Sequence, residues 1–308
     1  IKKKNNSYAG HRGSSSDHAS SYKNKGHEDE HEFASLIGGR VISGQQKVDV
    51  IGPKGTRYSC KGGGKHWQIL LYAESNFINN EWGELGVLFQ ECLNCFPIDY
   101  SIYAQDKINA KENIYSYLRE KSGKEVYNHD DATNGLDSET KKNLKNSLRN
   151  NRSLLNDLMG VDNNYLNAKL KLQVVTKKMK EKFEEAGQIR SFLEKGIFAN
   201  DDVDQLAIKE KDIFLVFYKS DVLDIFNENL KAENSVGGHG IDDINLDGQK
   251  TIIKYKTNIV ELEIRNDSIL HYRQVRFNMK REKAITLLKE KSIEIKSPHV
   301  QIKYYKKH

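Results

Sequence analysis

The sequence predicts an α/β protein with a mixed central sheet flanked by helices, a helical insertion and a C-terminal β-rich region. Three observations lead to this class. Short strand-like runs flank a Gly-Pro-Lys-Gly turn at residues 52–55, a helical pattern with few breaks extends from about 106 to 196, and strand-like segments fill 249–278. Helical and strand-rich blocks in this order predict a sheet-containing core into which the helices are inserted.

Composition and charge limit the class of protein further. The chain has 308 residues, enough for one large domain or two smaller ones, and 37% of them are hydrophobic. No apolar stretch is long enough to span a bilayer, and the first residues lack the apolar core of a signal peptide, so we expect a cytoplasmic protein. The net charge of +6 and the pI near 8.9 suit a polyanionic partner such as double-stranded DNA.

The first two predicted elements are an arm and a helix. Residues 1–26 are rich in Ser, Gly, Asn, Lys and His and show no apolar periodicity, which predicts a flexible N-terminal arm. Residues 27–39 predict a helix that stops at the Gly38-Gly39 pair. This helix carries Glu28 and, one turn later, Glu32.

The hairpin that follows presents an acid and a lysine together. Asp49 precedes the Gly-Pro-Lys-Gly turn, and Ser59 and Lys61 follow it. Because strand side chains alternate in direction, Ser59 and Lys61 share one face, while Tyr58 and Cys60 take the other. Paired strands bring Asp49 close to Lys61.

Two helices are predicted between the hairpin and the helical block. The run 65–77 predicts a helix in which Gln68 and Tyr72 share one face and in which Glu74 lies near the end. Residues 83–95 predict an amphipathic helix that is stopped by Pro97.

Residues 106–199 predict a helical subdomain or insertion, and the character of the chain changes after it. The apolar run 212–217 is typical of a buried strand, and 220–230 predicts a helix with Ser220 as its N-cap. We expect this pair to complete the sheet that the hairpin begins. The predicted core therefore comprises residues 27–105 and 200–248.

Residues 249–308 predict a β-rich basic region that recognises DNA. Arginine and asparagine are the side chains that most often bind base edges, and lysine binds phosphate. The candidate DNA-binding residues are Arg265, His271, Arg273, Arg276, Asn278, Lys280 and Arg281. The alternative is a basic hairpin whose arginines form ion pairs with Glu261 and Glu263.

Three other metal patterns compete with the hairpin. Cys92 and Cys95 have half the spacing of a zinc site, but the sequence has no second pair to complete four ligands. The run 243–248 starts like a calcium loop, yet Lys254 stands where calcium needs a glutamate, so we expect a turn. Asp247 with Glu261 and Glu263 is a rival carboxylate set.

The glutamate helix and the Asp49–Ser59–Lys61 hairpin together resemble the PD-(D/E)xK nuclease superfamily, which includes most type II restriction endonucleases. The family pattern is a helix with a glutamate, an aspartate at a strand end, and a second carboxylate two residues before a lysine. Ser59 departs from it, and Glu74 would supply the missing charge. Gln68 and Tyr72 resemble the Gln-x-x-x-Tyr motif of the RecB-like branch.

This resemblance, which covers roughly residues 27–77, implies a restriction-endonuclease-like core and a magnesium-dependent, site-specific endonuclease for double-stranded DNA. It implies that Mg²⁺ is bound by Asp49 with Glu32 or Glu74, that Lys61 acts on the attacking water, and that the enzyme is a homodimer. The implied catalytic set is Asp49, Lys61, Glu32, Glu74 and Gln68. Two alternatives remain: a structure-specific repair or phage nuclease of the same fold, and a non-enzymatic DNA-binding protein.

Overall fold

A computed structural model describes residues 16–44, 47–78, 82–160, 162–235, 250–255, 257–266, 268–296 and 302–308 of the chain. It has helices packed on a mixed sheet, so the predicted fold class is confirmed. Residues 1–15 of the expected arm and the segment that holds Asp247 lie outside the described residues. Within the described part, no helix combines the length and the apolar character needed to cross a bilayer.

The described elements form two compact units, the first within Ile1–Trp67, Leu193–Ile225 and Arg281–His308, the second within Gln68–Phe192 and Phe226–Lys280. The helices are α1 Ser16–Ile37, α2 Gly83–Asn94, α3 Tyr100–Ser122, α4 His129–Asn134, α5 Ser138–Asn150, α6 Arg152–Met159, α7 Asn164–Glu184, α8 Gln188–Phe198, α9 Lys219–Asn229 and α10 Arg281–Glu290. The strands are β1 Arg40–Val41, β2 Val50–Ile51, β3 Arg57–Lys61, β4 His66–Ala73, β5 Gln205–Glu210, β6 Ile213–Tyr218, β7 Lys231–Ser235, β8 Lys250–Tyr255, β9 Thr257–Arg265, β10 Gln274–Lys280, β11 Ser292–Lys296 and β12 Ile302–Lys307.

The sheet of the first unit has seven strands in the order β1-β2-β3-β5-β6-β12-β11. Its pairs are antiparallel except for β3 with β5 and β12 with β6, which run parallel. Strand β6 lies inside the sheet, and Phe214 to Phe217 are buried in succession, which confirms the predicted buried strand. The hairpin and this strand belong to one sheet, as the sequence predicted.

Helix α1 packs against the β1-β2-β3 end of this sheet. Phe33 is completely buried, with its ring 5.1 Å from that of Tyr58 and 5.0 Å from that of Phe214. Burying one large apolar side chain stabilises a fold by about 1.5–3 kcal/mol, so Phe33 holds the helix firmly against the hairpin. The shared core consists of Phe33, Ala34, Val50, Tyr58, Ala207, Phe214, Val216 and Ile302.

Arg57 and Asp204 join the start of β3 to the start of β5. The Arg57 backbone N–H and Nε both donate to Asp204 Oδ2, at 2.8 and 3.2 Å, and Nη2 donates to Oδ1 at 2.9 Å. The hydrogen bonds from the Arg57 guanidinium hold the pKa of the Asp204 carboxyl below its usual range. This clamp fixes the parallel alignment of the two strands, since the Asp204 backbone N–H also donates to Arg57 O at 2.9 Å.

We expect the substitution Asp204→Asn to destabilise the protein at neutral pH but not in acid. A carboxyl whose folded pKa is depressed stabilises the fold above its unfolded pKa, and that contribution disappears as the pH falls through the folded pKa. Because Asp204 is partly exposed, the loss at pH 7 should be only about 1 kcal/mol. Urea unfolding at pH 7 and pH 3 measures it, with Asp202→Asn, an exposed neighbour, as the control. An equal loss at both pH values would contradict this role.

The second unit contains a five-stranded sheet in the order β4-β10-β9-β8-β7. Helix α7 packs against β7 and β8, and α2 packs against β10. On β10, Val275, Phe277 and Met279 are buried, whereas the residues between them are half-exposed, so helices cover one face of the sheet. The aromatic core on that side includes Phe77, Trp82, Phe89, Phe183, Phe192 and Phe277.

The predicted helical block is confirmed, because α3 to α8 fill most of residues 100–198. The Asp99 carboxylate accepts the Ser101 N–H at 2.8 Å at the start of α3, and Gly123, with φ 64°, ends this helix. The block lies mainly in the second unit, with the five-stranded sheet.

Three details of the predicted secondary structure are wrong. Residues 65–77 were expected to be a helix, but His66–Ala73 form β4, because the buried Trp67 and Ile69 alternate with the exposed His66 and Gln68 and the strand pairs with β10. Helix α1 begins at Ser16, inside the expected arm. Helix α9 begins at Lys219, so Ser220 lies within it. The expected β-rich C-terminal region holds β8 to β12 together with helix α10.

Candidate active site

Asp49 continues the β2–β3 ladder by one residue. Its backbone N–H donates to Tyr58 O at 2.9 Å, and its carbonyl accepts the Ile42 N–H, also at 2.9 Å. The Asp49 side chain is held as well: Oδ2 accepts the Cys60 N–H at 2.6 Å and the Ser59 hydroxyl at 3.2 Å. These two donors fix the rotamer of the carboxylate.

Ser59 therefore has a structural role at this position. It is completely buried, and its hydroxyl donates to Asp49. Both donors bind the same carboxylate oxygen, and among the described residues no hydrogen bond reaches the other oxygen, Oδ1. Asp49 is thus oriented by the hairpin while one of its oxygens stays available to a ligand.

Glu30 is the helix carboxylate beside the hairpin. It lies three and four residues before the buried Phe33 and Ala34, so it shares the face of α1 that packs on the sheet. Burial raises the pKa of the Glu30 carboxyl above its ordinary value, and a hydrogen bond with His27 at 3.0 Å opposes this. The negative charge of Asp49 raises the pKa of Glu30 further, and the positive charge of Lys61 lowers it.

A second lysine joins Lys61 at this site. Lys47 lies at a bend two residues before Asp49 and is half-buried. Burial lowers the pKa of Lys47 to about 8; the positive charge of Lys61 lowers it too, and the negative charge of Asp49 raises it. Glu30, Asp49, Lys47 and Lys61 therefore form one cluster of interacting charges, which we call the hairpin cluster.

Asp29 adds a further carboxylate next to the hairpin cluster. It is 8% exposed, and a side chain on Gly62, directly after Lys61, would collide with its Oδ2. Burial is the main cause that raises the pKa of the Cys60 thiol, and the negative charge of Asp29 also raises it. A thiol held protonated in this way is a poor nucleophile.

Glu32, the glutamate expected at the metal, forms an ion pair with Lys209 of β5. Its side chain is 47% exposed, compared with 16% for Glu30. The two residues are two positions apart on a helix and so point in different directions. The helix carboxylate whose charge acts on Asp49 is Glu30.

Gln68 and Glu74, the other expected catalytic residues, belong to the second unit. Gln68 is exposed on β4, and Glu74 begins the short 3-10 helix Glu74–Phe77. Glu74 accepts a hydrogen bond from Arg273 Nη2 at 2.6 Å, and the same nitrogen donates to Asn94 Oδ1 at 2.9 Å. The carboxylate of Glu74 is thereby tied to an arginine within its own unit.

The expected DNA-binding residues follow the alternation of β10. Arg276, Asn278 and Lys280 share the half-exposed face of the strand, opposite the buried residues. Arg273 precedes the strand with a positive φ of 51°.

The arginines of this region have partners within the protein. Arg276 forms an ion pair with Glu263 on the neighbouring strand, which is the pairing that the alternative interpretation of this region expected. Arg265 Nη2 lies 2.6 Å from His271 Nδ1. Arg281 begins α10 in the first unit, where its guanidinium donates to Lys209 O. Glu261 lies opposite Asn278, and Asp247 is outside the described residues.

The described residues contain no group of three or more His, Cys, Asp or Glu side chains arranged to hold a metal ion. Cys92 and Cys95 are buried, and burial raises the pKa of the Cys95 thiol to about 11. Mg²⁺, however, keeps several waters and needs only one or two protein carboxylates together with substrate phosphate. Asp49, whose Oδ1 accepts no hydrogen bond from the described residues, and Glu30 are the carboxylates that would have to hold such an ion.

Comparison with family models, curated proteins and solved structures finds no match to this chain. The site must therefore be interpreted from its own chemistry. Sequence reasoning missed Glu30 and Lys47. Helical spacing from Phe33 was the signal for Glu30, and the two-residue spacing from Asp49 was the signal for Lys47.

Proposed function

We propose that this chain is a Mg²⁺-dependent endonuclease that cleaves double-stranded DNA at a specific site and works as a homodimer in the cytoplasm. One observation carries the proposal: Asp49 is fixed by Ser59 and Cys60 with one oxygen left open, Lys61 directly follows Cys60, and the charge of Asp49 acts on the Glu30 carboxyl of the packed helix. An oriented carboxylate pair next to a lysine is the arrangement that metal-assisted phosphodiester hydrolysis uses.

Each residue has a stated part in this proposal. Asp49, through Oδ1, and Glu30 would hold the Mg²⁺ ion, which when bound polarises the scissile phosphate. The Lys61 ammonium offsets the negative charge that develops on the phosphate and orients the attacking water. Ser59 and the Cys60 N–H keep the Asp49 carboxylate in position, so no binding energy is spent on ordering it.

The basic residues of the second unit support a polyanionic substrate. Asn278 and Lys280 lie on the half-exposed face of β10, where a base edge or a phosphate can be met. Arg276 is paired with Glu263, so it can bind a phosphate only after this ion pair has been broken. Base recognition therefore falls first to Asn278 and Lys280.

Digestion of a long phage DNA with purified protein tests the function. We expect discrete fragments in Mg²⁺ and none in EDTA, because both the ion and a defined sequence are required. A smear, or cutting only at branches and ends, would favour a structure-specific nuclease. Binding without any cleavage in Mg²⁺ or Mn²⁺ would leave a DNA-binding protein as the function.

A further inference from the structure

Four large apolar side chains are exposed in one region of the second unit. Ile98 and Ile102 lie at the start of α3, and Ile269 and Leu270 lie in the 3-10 turn Ile269–His271 that connects β9 with β10. Their exposed fractions range from 48% to 89%. Single exposed apolar side chains are normal on a protein surface, but a contiguous group of them marks an interaction site.

Tyr272 brings the two segments together. It directly follows the turn, its hydroxyl donates to Pro97 O at 2.8 Å, and its ring lies 5.0 Å from that of Tyr100. Each of the four exposed residues is within three positions of one of these three along the chain, a length that spans at most roughly 10 Å. The four side chains therefore surround one contact, and we call them the apolar patch.

The turn that carries half of the apolar patch has a fixed backbone. The His271 N–H donates to Ser268 O at 3.0 Å, and Gln274 Nε2 donates to Leu270 O at 3.1 Å. Association loses less conformational entropy when the surface that is covered is already ordered. The turn is therefore suited to binding a partner.

Charges of both signs border the apolar patch. Asp99 is exposed between the two isoleucines, where its Oδ1 accepts the Ser101 N–H at 2.8 Å. Arg265 is half-exposed beside the turn, where its Nη2 donates to His271 Nδ1 at 2.6 Å. Protein–DNA interfaces are strongly positive and more polar than this. The chemistry of the patch therefore fits another protein surface better than DNA.

This surface is complementary to a second copy of itself. A two-fold axis can place each half of the apolar patch against the same half of the partner or against the other half. The first arrangement sets Asp99 against Asp99 and Arg265 against Arg265, which is unfavourable because like charges repel. The second arrangement sets each Asp99 near the Arg265 of the other copy and covers the apolar side chains of both.

We propose that the apolar patch is the interface of a symmetric dimer of this chain, in which the α3 half of each copy covers the turn half of the other. A standard interface buries about 800 Å² on each partner, so the patch forms its apolar centre and the charged side chains form its rim. The inference rests on the proposed function, in which the endonuclease is a homodimer, and it gives that homodimer a surface.

Sedimentation equilibrium of the full chain tests the inference. We expect a mass of twice 35.3 kDa at micromolar concentration. Leu270→Asp should raise the dissociation constant of the dimer at least about a hundredfold, because association would bury an unpaired charge at the centre of the interface. Val87→Asp is the matched control, since Val87 is 50% exposed on α2 of the same unit, and it should dimerise like the parent.

Asp99→Asn tests the arrangement of the two halves. Asparagine caps helices as well as aspartate does, so α3 keeps its first turn and only the charge that faces Arg265 is lost. Because a two-fold dimer contains two such pairs, the dissociation constant should rise about three- to tenfold. An unchanged dissociation constant would overturn the arrangement.

A monomeric parent protein, or a Leu270→Asp variant that dimerises like the parent, would overturn the inference. If that variant stays dimeric and binds duplex DNA more weakly, the apolar patch contacts DNA instead. If Leu270→Asp does not fold, Ile98→Asp decides in its place, because Ile98 is 89% exposed and its replacement disturbs no packing.

Failure of the proposed function is recognised separately. A dimer that dissociates on Leu270→Asp but never cleaves DNA keeps this interface and refutes the nuclease. A monomer that cleaves DNA in Mg²⁺ and loses this activity on Asp49→Asn keeps the chemistry and refutes the dimer.

Discussion

Asp49→Asn should reduce Mg²⁺-dependent cleavage by at least about a thousandfold, the loss typical of a group that stabilises transition-state charge. Asparagine has nearly the same shape, and its carbonyl oxygen can still accept from Ser59 and Cys60. What disappears is the negative charge, and an amide nitrogen takes the place of the oxygen that would bind the ion. Single-turnover cleavage of a plasmid measures the loss.

Binding and folding should survive this substitution. Duplex affinity measured in EDTA, in which the proposed mechanism allows no cleavage, should change only a few-fold, and the melting temperature should not fall. Asp202→Asn, an exposed aspartate of the same unit, is the matched control and should cleave normally. Cleavage by Asp49→Asn at the parental rate would show that the hairpin is not part of the active site.

Glu30→Gln should reduce cleavage by about a hundredfold or more, while Glu32→Gln should change it less than about threefold. The pair is closely matched, because both glutamates lie on α1 and only one residue, His31, separates them. Glu30 is half-buried beside Asp49 and Lys61, whereas Glu32 is exposed and paired with Lys209. Cleavage rates at saturating Mg²⁺, compared side by side, measure the difference.

Stability measurements distinguish a loss of cleavage in Glu30→Gln from a loss of folding. Since burial raises the pKa of Glu30, its charged form is disfavoured in the folded protein and costs stability above the unfolded pKa. Glu30→Gln should therefore melt at the same temperature as the parent or higher at pH 7, and this gain should vanish in acid. If Glu32→Gln lost activity and Glu30→Gln kept it, the metal would be assigned to Glu32, the glutamate that the sequence indicated.

Local patterns predicted the hairpin well. Alternation along β3 placed Ser59 and Lys61 on one side, and the structure adds the bond from Ser59 to Asp49. The buried strand β6 could also be predicted, because a short run of consecutive apolar residues is typical of a strand buried on both faces. These features depend on neighbours in the sequence.

The errors arose where contacts between residues far apart in the sequence determine the local structure. Residues 66–73 have the composition of either a helix or a strand, and pairing with β10, far along the chain, selects the strand. The choice between Glu30 and Glu32 depended on which face of α1 packs on the sheet. Phe33 and Ala34 define that face, but a run with four acids in five residues hid the periodicity.

The core behind the hairpin cluster also determines when the site can assemble. Phe33 and Tyr58 share that core with Ile302 of β12, so its members come from both ends of the sequence. Contacts of such high sequence separation form late, because the entropy of closing the long intervening loop must be overcome first. During synthesis the core beneath the carboxylates and lysines would therefore remain incomplete until β12 has left the ribosome. The packing that supports the hairpin cluster is thereby coupled to the docking of β12.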